Sequence, residues 1–143
     1  MRIYLACTVR GDRGALPAVR EIVSRLEARG HEVLTSHLLR DDVEQVESQL
    51  TEAEVYERDV GWLRTCDAVV AEASGSTFGV GFEVGYVLGR AADTGQHVFL
   101  VYDVRRRDAI SRLIAGNTDS RCVRFAYADV GELGRFIDEQ FTE

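Results

Sequence analysis

The stretch Asp67–Leu88, DAVVAEASGSTFGVGFEVGYVL, decides the fold. It opens on an apolar run, Asp67 to Glu72, of the length and composition of a buried strand. A turn rich in glycine and hydroxyl residues follows from Ala73 to Gly81. Beyond it Val80, Val84, Val87, Leu88 and Ala91 fall on one stripe at helical spacing, with Gly95 placed as the stop. A strand that feeds a helix through a short turn is half of the repeating unit of a parallel sheet.

Working outward, the same alternation recurs on both sides. Ile3 to Cys7 reads as a first buried strand, and Thr8 to Gly14 as a polar loop. Leu16, Val19, Ile22, Val23 and Leu26 then mark a helix, with Pro17 in its first turn and Gly30 at its end. His31 to Ser36 supplies a weaker strand, and the acidic stretch Arg40 to Gln49 reads as a surface loop or short helix. Thr51 and Glu54 form a capping-box pair, which starts a helix running to about Thr65 with Val55, Val60 and Leu63 inward and Asp59 near the same side. Downstream, a strand at His97 to Tyr102, a short helix at Arg107 to Ala115, a strand at Cys122 to Phe125 and an amphipathic helix at Val130 to Phe141 complete the series. The expectation is an α/β fold spanning 1–143 as a single domain: a doubly wound, mainly parallel five-stranded sheet with helices on both faces. Such sheets bind ligands beyond the carboxyl ends of their strands.

Composition narrows the function. The 143 residues are 45% hydrophobic, enough for one substantial core. The formal charge of -7 argues against a nucleic acid polymer as partner, because a duplex would be repelled without a concentrated basic stripe. No run approaches the ~18 apolar residues of a membrane span, and the opening Met1 to Cys7 is too short and too soon polar for a signal peptide. Cys7, Cys66 and Cys122 are far apart, with no CxxC spacing and no Cys/His cluster, so neither a disulfide framework nor a metal site is expected. Reduced thiols fit a cytoplasmic location.

Two polar loops, Thr8 to Gly14 and Ser74 to Gly81, follow apolar strands and therefore face the expected ligand edge. The second opens a helix, where free backbone N–H groups and the helix dipole suit a phosphate. It is neither a Walker loop nor GxGxxG, and an ordinary strand-to-helix turn has the same composition. Glu83 lies directly behind the glycines, between Phe82 and Val84. A carboxylate there suits a nucleophile toward a sugar carbon, and it equally suits the plain task of complementing the helix dipole. Asp59, with Tyr56 and Trp62 nearby along its helix, is a candidate to exchange a proton with a leaving group, or a solvated helix residue. Arg10 and Arg13 are natural phosphate partners in the first loop, or cations facing water. His37 stands near the ligand edge without the companions of a catalytic triad.

Taken in order, IYLACTVRG (Ile3 to Gly11), LTSHL (Leu34 to Leu38), YERDVGWLRTCDAVVAEAS (Tyr56 to Ser74) and FGVGFEVGYV (Phe78 to Val87) resemble the 2'-deoxynucleoside 5'-phosphate N-hydrolases, relatives of the nucleoside 2-deoxyribosyltransferases. The resemblance covers nearly the whole chain and implies a Rossmann-like or flavodoxin-like sheet. It implies that Glu83 attacks the anomeric carbon, that Asp59 serves as proton donor or orienting partner for the base, and that Tyr4 contacts the glycosidic region. Phosphate contacts would fall on Thr8, Arg10, Thr77, Gly79 and Gly81. Ser111 resembles a residue lent to the neighbouring subunit's site, which implies a homodimer. The substrate would be a nucleoside monophosphate, split to free base and sugar phosphate with no cofactor and no metal. The chain departs from the family pattern at Cys7-Thr8, where Gly-Ser is usual, and at Gly75-Ser76, where Gln-Pro is usual, changes expected to reshape the pocket and loosen its loop. Thr77 keeps the hydroxyl of the usual Ser. Base exchange and a ribonucleotide substrate are the neighbouring readings, and a nucleotide-binding module without turnover is the rival from another class.

Overall fold

Alternation along the first strand sets the two layers. In β1 (Arg2–Ala6), Ile3 and Leu5 point to one face and Tyr4 and Ala6 to the other, and all four are at most 1% exposed. A strand buried on both faces needs helices on both sides. The computed structural model, which describes residues 1–142, supplies them.

On the first face, α1 (Leu16–Ala28) and α7 (Val130–Gln140) pack Val19, Ile22, Leu26, Leu133 and Ile137 against Ile3, Leu5 and Val70. On the second, α3 (Glu52–Thr65) and α4 (Phe78–Leu88) pack Leu63, Val80, Val84 and Val87 against Tyr4, Ala6, Val69 and Leu100. The sheet also contains β2 (Glu32–Val33), β3 (Ala68–Glu72), β4 (His97–Asp103) and β5 (Cys122–Tyr127). All pairings are parallel and the order is β2-β1-β3-β4-β5. The direction of winding reverses between β1 and β3, so a crevice opens beyond their carboxyl ends. The loops that follow them are the two singled out in the sequence.

Three elements differ from expectation. The strand sought at His31 to Ser36 is only two residues long, because the Thr35 hydroxyl replaces the ladder: it accepts from Leu5 N at 3.0 Å and donates to Leu5 O at 2.7 Å. The stripe through Ala91 belongs to two helices, since α4 ends at Leu88 and a separate turn, α5 (Ala91–Thr94), carries Ala91 before Gly95 stops it with φ of 76°. The helix sought at Arg107 to Ala115 begins instead as a 3-10 segment, Val104–Ala109, where the Asp103 side chain accepts from Arg105 N. Extended Ile110 then separates it from α6 (Arg112–Ala115). In the acidic stretch, α2 (Val43–Glu47) forms because Val43 is buried, at 1% exposure, against the first-face core. The capping box at Thr51 and Glu54 is present.

Candidate active site

The centre of the site is a hydrogen bond between β1 and α4. The Tyr4 hydroxyl, turned to the second face and buried, donates to Glu83 Oε1 at 2.6 Å. Glu83 stands in the second turn of α4, one turn beyond Gly79, and a side chain added at Gly79 would meet no atom within 4 Å. The carboxylate therefore looks past the glycine into a cleft of about 610 Å³ lined by Cys7, Val9, Arg10, Glu47, Val55, Thr77 and Gly79 among others. Burial pushes its pKa from the ordinary 4.5 up to about 7, opposed by the Tyr4 hydrogen bond and reinforced by the charge of Asp59. The helix dipole does not outweigh desolvation here. A carboxylate poised near neutrality and, among the described residues, without an ion-pair partner has the electronic character of a nucleophile or acid-base group. The same desolvation, with Glu83 and Asp59 adding to it, drives the Tyr4 hydroxyl far above the ordinary tyrosine range and keeps it a donor.

Asp59 reaches the site from α3. Its charge is felt by both Glu83 and Tyr4, and its Oδ1 accepts from Arg58 Nε at 2.7 Å. Arg58 also forks onto Glu47, with Nη1 to Oε1 at 2.9 Å and Nη2 to Oε2 at 3.1 Å. His37 Nε2 lies 2.9 Å from the same Glu47 Oε1. The Arg58 guanidinium sits 5.2 Å from the centre of the Trp62 ring, and the His37 ring lies 5.8 Å from it. His37, which had no evident companions in the sequence, thus belongs to a charged chain ending at Asp59. Arg58 and Glu47 were missed. Their only local signal is adjacency, since Arg58 precedes Asp59, and nothing marks Glu47 within its acidic stretch.

The phosphate candidates divide into two groups. Arg10, Thr77 and Gly79 line the cleft with Glu83, and Arg10 is exposed at its rim. Thr8 does not join them, because its buried hydroxyl lies against Gly75, where an added side-chain carbon would sit 2.0 Å from Thr8 Oγ1 and 2.9 Å from Asp12 O. The two departures from the family pattern therefore pack on each other, and the loop expected to be loose is in close contact there. Arg13 is turned to Leu38, whose carbonyl accepts from Nη2 at 2.7 Å. Gly81 and Ser111 line a neighbouring groove of about 410 Å³, which shares Thr77 and Val80 with the cleft and includes exposed Phe78 and Leu113. A second buried carboxylate, Glu72, accepts from Tyr127 OH at 2.9 Å and from Ser74, and its side chain lies on the first face, away from the cleft. Among the described residues, no group of three or more His, Cys, Asp or Glu is placed to hold a metal ion, and no helix is long and apolar enough to cross a membrane.

Known proteins resemble this chain in sequence and in fold. A protein of Thermofilum pendens that carries the provisional name 2'-deoxynucleoside 5'-phosphate N-hydrolase 1 is 42% identical over 138 residues, 96% of this chain and 93% of its own length. The 5-hydroxymethyl-dUMP N-hydrolase of Rattus norvegicus is 32% identical over 142 residues, covering 97% of this chain and 83% of its own. Among solved structures, the Clostridium botulinum CMP N-glycosidase BcmB superposes with a TM-score of 0.71 over 99% of this chain and 100% of its own, at 18% identity, a likeness of fold. Residues 3–127 match the profile of the nucleoside 2-deoxyribosyltransferases, and with relatives this similar over almost its full length the chain belongs to that family.

Proposed function

We propose that the protein hydrolyses the N-glycosidic bond of 2'-deoxynucleoside 5'-monophosphates, with Glu83 as nucleophile. The observation that carries this reading is the part-buried Glu83 carboxylate, oriented by Tyr4 and facing an open cleft with Arg10 and Thr77 at its rim. The relatives named as nucleotide N-hydrolases support the substrate class.

In the first step an ionised Glu83 oxygen bonds to C1' as the bond from C1' to the base nitrogen breaks, and the departing base takes its proton from a water on the Asp59 side, whose hydroxide is left to attack. Because Asp59 already accepts from Arg58, it acts here as an oriented acceptor for the base or a water rather than as the acid itself. That hydroxide then adds to C1', the bond from C1' to the Glu83 oxygen breaks to return the carboxylate, and the sugar 5-phosphate leaves. Tyr4 holds the nucleophile in line and keeps its charge tolerable in a poorly hydrated place. Arg10, Thr77 and the N–H groups at the start of α4 grip the phosphate, so remote binding energy presses C1' against Glu83.

The groove that holds Ser111, with exposed Phe78 and Leu113 beside it, supports a homodimer in which Ser111 reaches the neighbouring site. Three unpaired cysteines fit a reducing, cytoplasmic setting. The decisive experiment is incubation with each common nucleoside monophosphate, followed by chromatography for free base. Release of base by the wild-type chain, its loss in Glu83→Gln and retained nucleotide binding in that variant are expected. Equal release by the variant refutes the assignment, and a new nucleoside formed on adding free base identifies exchange instead of hydrolysis.

A further inference from the structure

We infer that Glu47 selects the base, accepting a hydrogen bond from an exocyclic amine, so that amino-bearing bases are cleaved in preference to their oxo counterparts. This rests on the hydrolase reading of the cleft. With the 5' phosphate at Arg10, Thr77 and Gly79 and C1' at Glu83, the base is left with the remaining wall, which the end of α2 and the start of α3 build from Glu47, Ser48, Leu50, Glu52 and Val55. Leu50 and Val55 offer apolar surface for the faces of a base. Ser48 is committed to the backbone, donating to Gln45 O at 2.7 Å, and Glu52 is exposed at the first turn of α3.

Glu47 is different in kind. Its side chain is only 11% exposed and is fixed by Arg58 and His37, which themselves pack on Trp62. Burial alone would raise its pKa, but the hydrogen bonds from Arg58 and His37 outweigh that and hold it below the usual carboxylate range. A carboxylate offers about four acceptor positions. Arg58 takes two and His37 Nε2–H a third, which leaves one to which no described residue donates, on a carboxylate that lines the cleft. An amino N–H satisfies that position, whereas a carbonyl oxygen at the same place meets a fixed negative charge. The same Arg58 carries the bond to Asp59, so the group that reads the base is tied rigidly to the group beside the bond that breaks.

Two pairs of substrates that differ at this edge test the inference: dCMP against dUMP, and dAMP against dIMP. For the wild-type chain the amino member should show a kcat/KM about tenfold to a hundredfold higher, and Glu47→Gln should bring each pair to within about threefold, mainly through KM of the amino member. Glu47→Asp, which keeps the charge but withdraws the acceptor by one methylene, should fall between. A role confined to holding Arg58 and Asp59 would instead lower kcat for both members equally and leave the ratio intact. That result, or a wild-type chain indifferent to the amine, overturns the inference. Calorimetric binding of the same nucleotides to Glu83→Gln separates the two proposals. Turnover without amine preference sinks base selection alone, amine-selective binding without turnover sinks the hydrolase reading alone, and neither sinks both.

Discussion

Replacing Glu83 with Gln should stabilise the protein while abolishing its activity, and the gain should depend on pH. Burial raises the carboxyl from 4.5 to about 7, so between these values the folded chain holds a proton that the unfolded chain releases. Wild-type stability therefore falls as pH rises through that window and levels off above it. At about 1.4 kcal/mol per pH unit, keeping the ionised group in the fold costs up to about 3 kcal/mol at pH 8 and about 1 kcal/mol at pH 5. A glutamine has no charge to desolvate, and its Oε1 accepts from Tyr4 as the carboxylate does at 2.6 Å. Urea melts at the two pH values, beside thermal melts, read the difference. A rise in Tm of about 10 °C at pH 8, shrinking to a few degrees at pH 5, is expected for a chain of this length. Base release by the wild type should increase with pH through about 7, opposite to its stability. Equal melts at both pH values, or a variant that is less stable at pH 8, would refute the claim that the site stores its nucleophile as a desolvated charge.

Other substitutions report on the neighbours of Glu83. Tyr4→Phe removes a hydrogen bond that lowers the Glu83 pKa, so the acid limb of the kcat/KM profile should move to higher pH, with a stability loss of about 1 kcal/mol seen in denaturant melts. Arg10→Gln should raise KM for a deoxynucleoside monophosphate about tenfold or more without changing that for the free deoxynucleoside, as steady-state kinetics will reveal. Gly75→Ala forces a methyl to 2.0 Å from Thr8 Oγ1 and should cost about 2 kcal/mol or more. Thr8→Gly in the same chain should recover part of that loss, measured as a double-mutant cycle.

The parts of this molecule that were legible in its sequence are those whose cause is local. Apolar runs at Ile3 to Cys7 and Asp67 to Glu72 and the Thr51 and Glu54 cap each act within a few residues, and each sits where its pattern places it. Glu83 and Tyr4 were singled out through the family pattern, and the structure joins them by a hydrogen bond of 2.6 Å. What escaped depends on partners distant in sequence. Thr35 shortens β2 by bonding to Leu5, thirty residues away, and Glu47 acquires its importance from His37 and Arg58, ten and eleven residues to either side. Thr8 reads as an open loop hydroxyl until the fold brings Gly75 against it.

That last contact bears on descent. Two departures from the family pattern, sixty-seven positions apart in the chain, are a single change in space, because a threonine at 8 and any side chain at 75 compete for the same volume. A threonine at 8 is not freely available to a lineage that keeps a side chain at 75. Homologues should therefore trade bulk between these two positions in step, and a graft of either loop into a relative should carry its counterpart along.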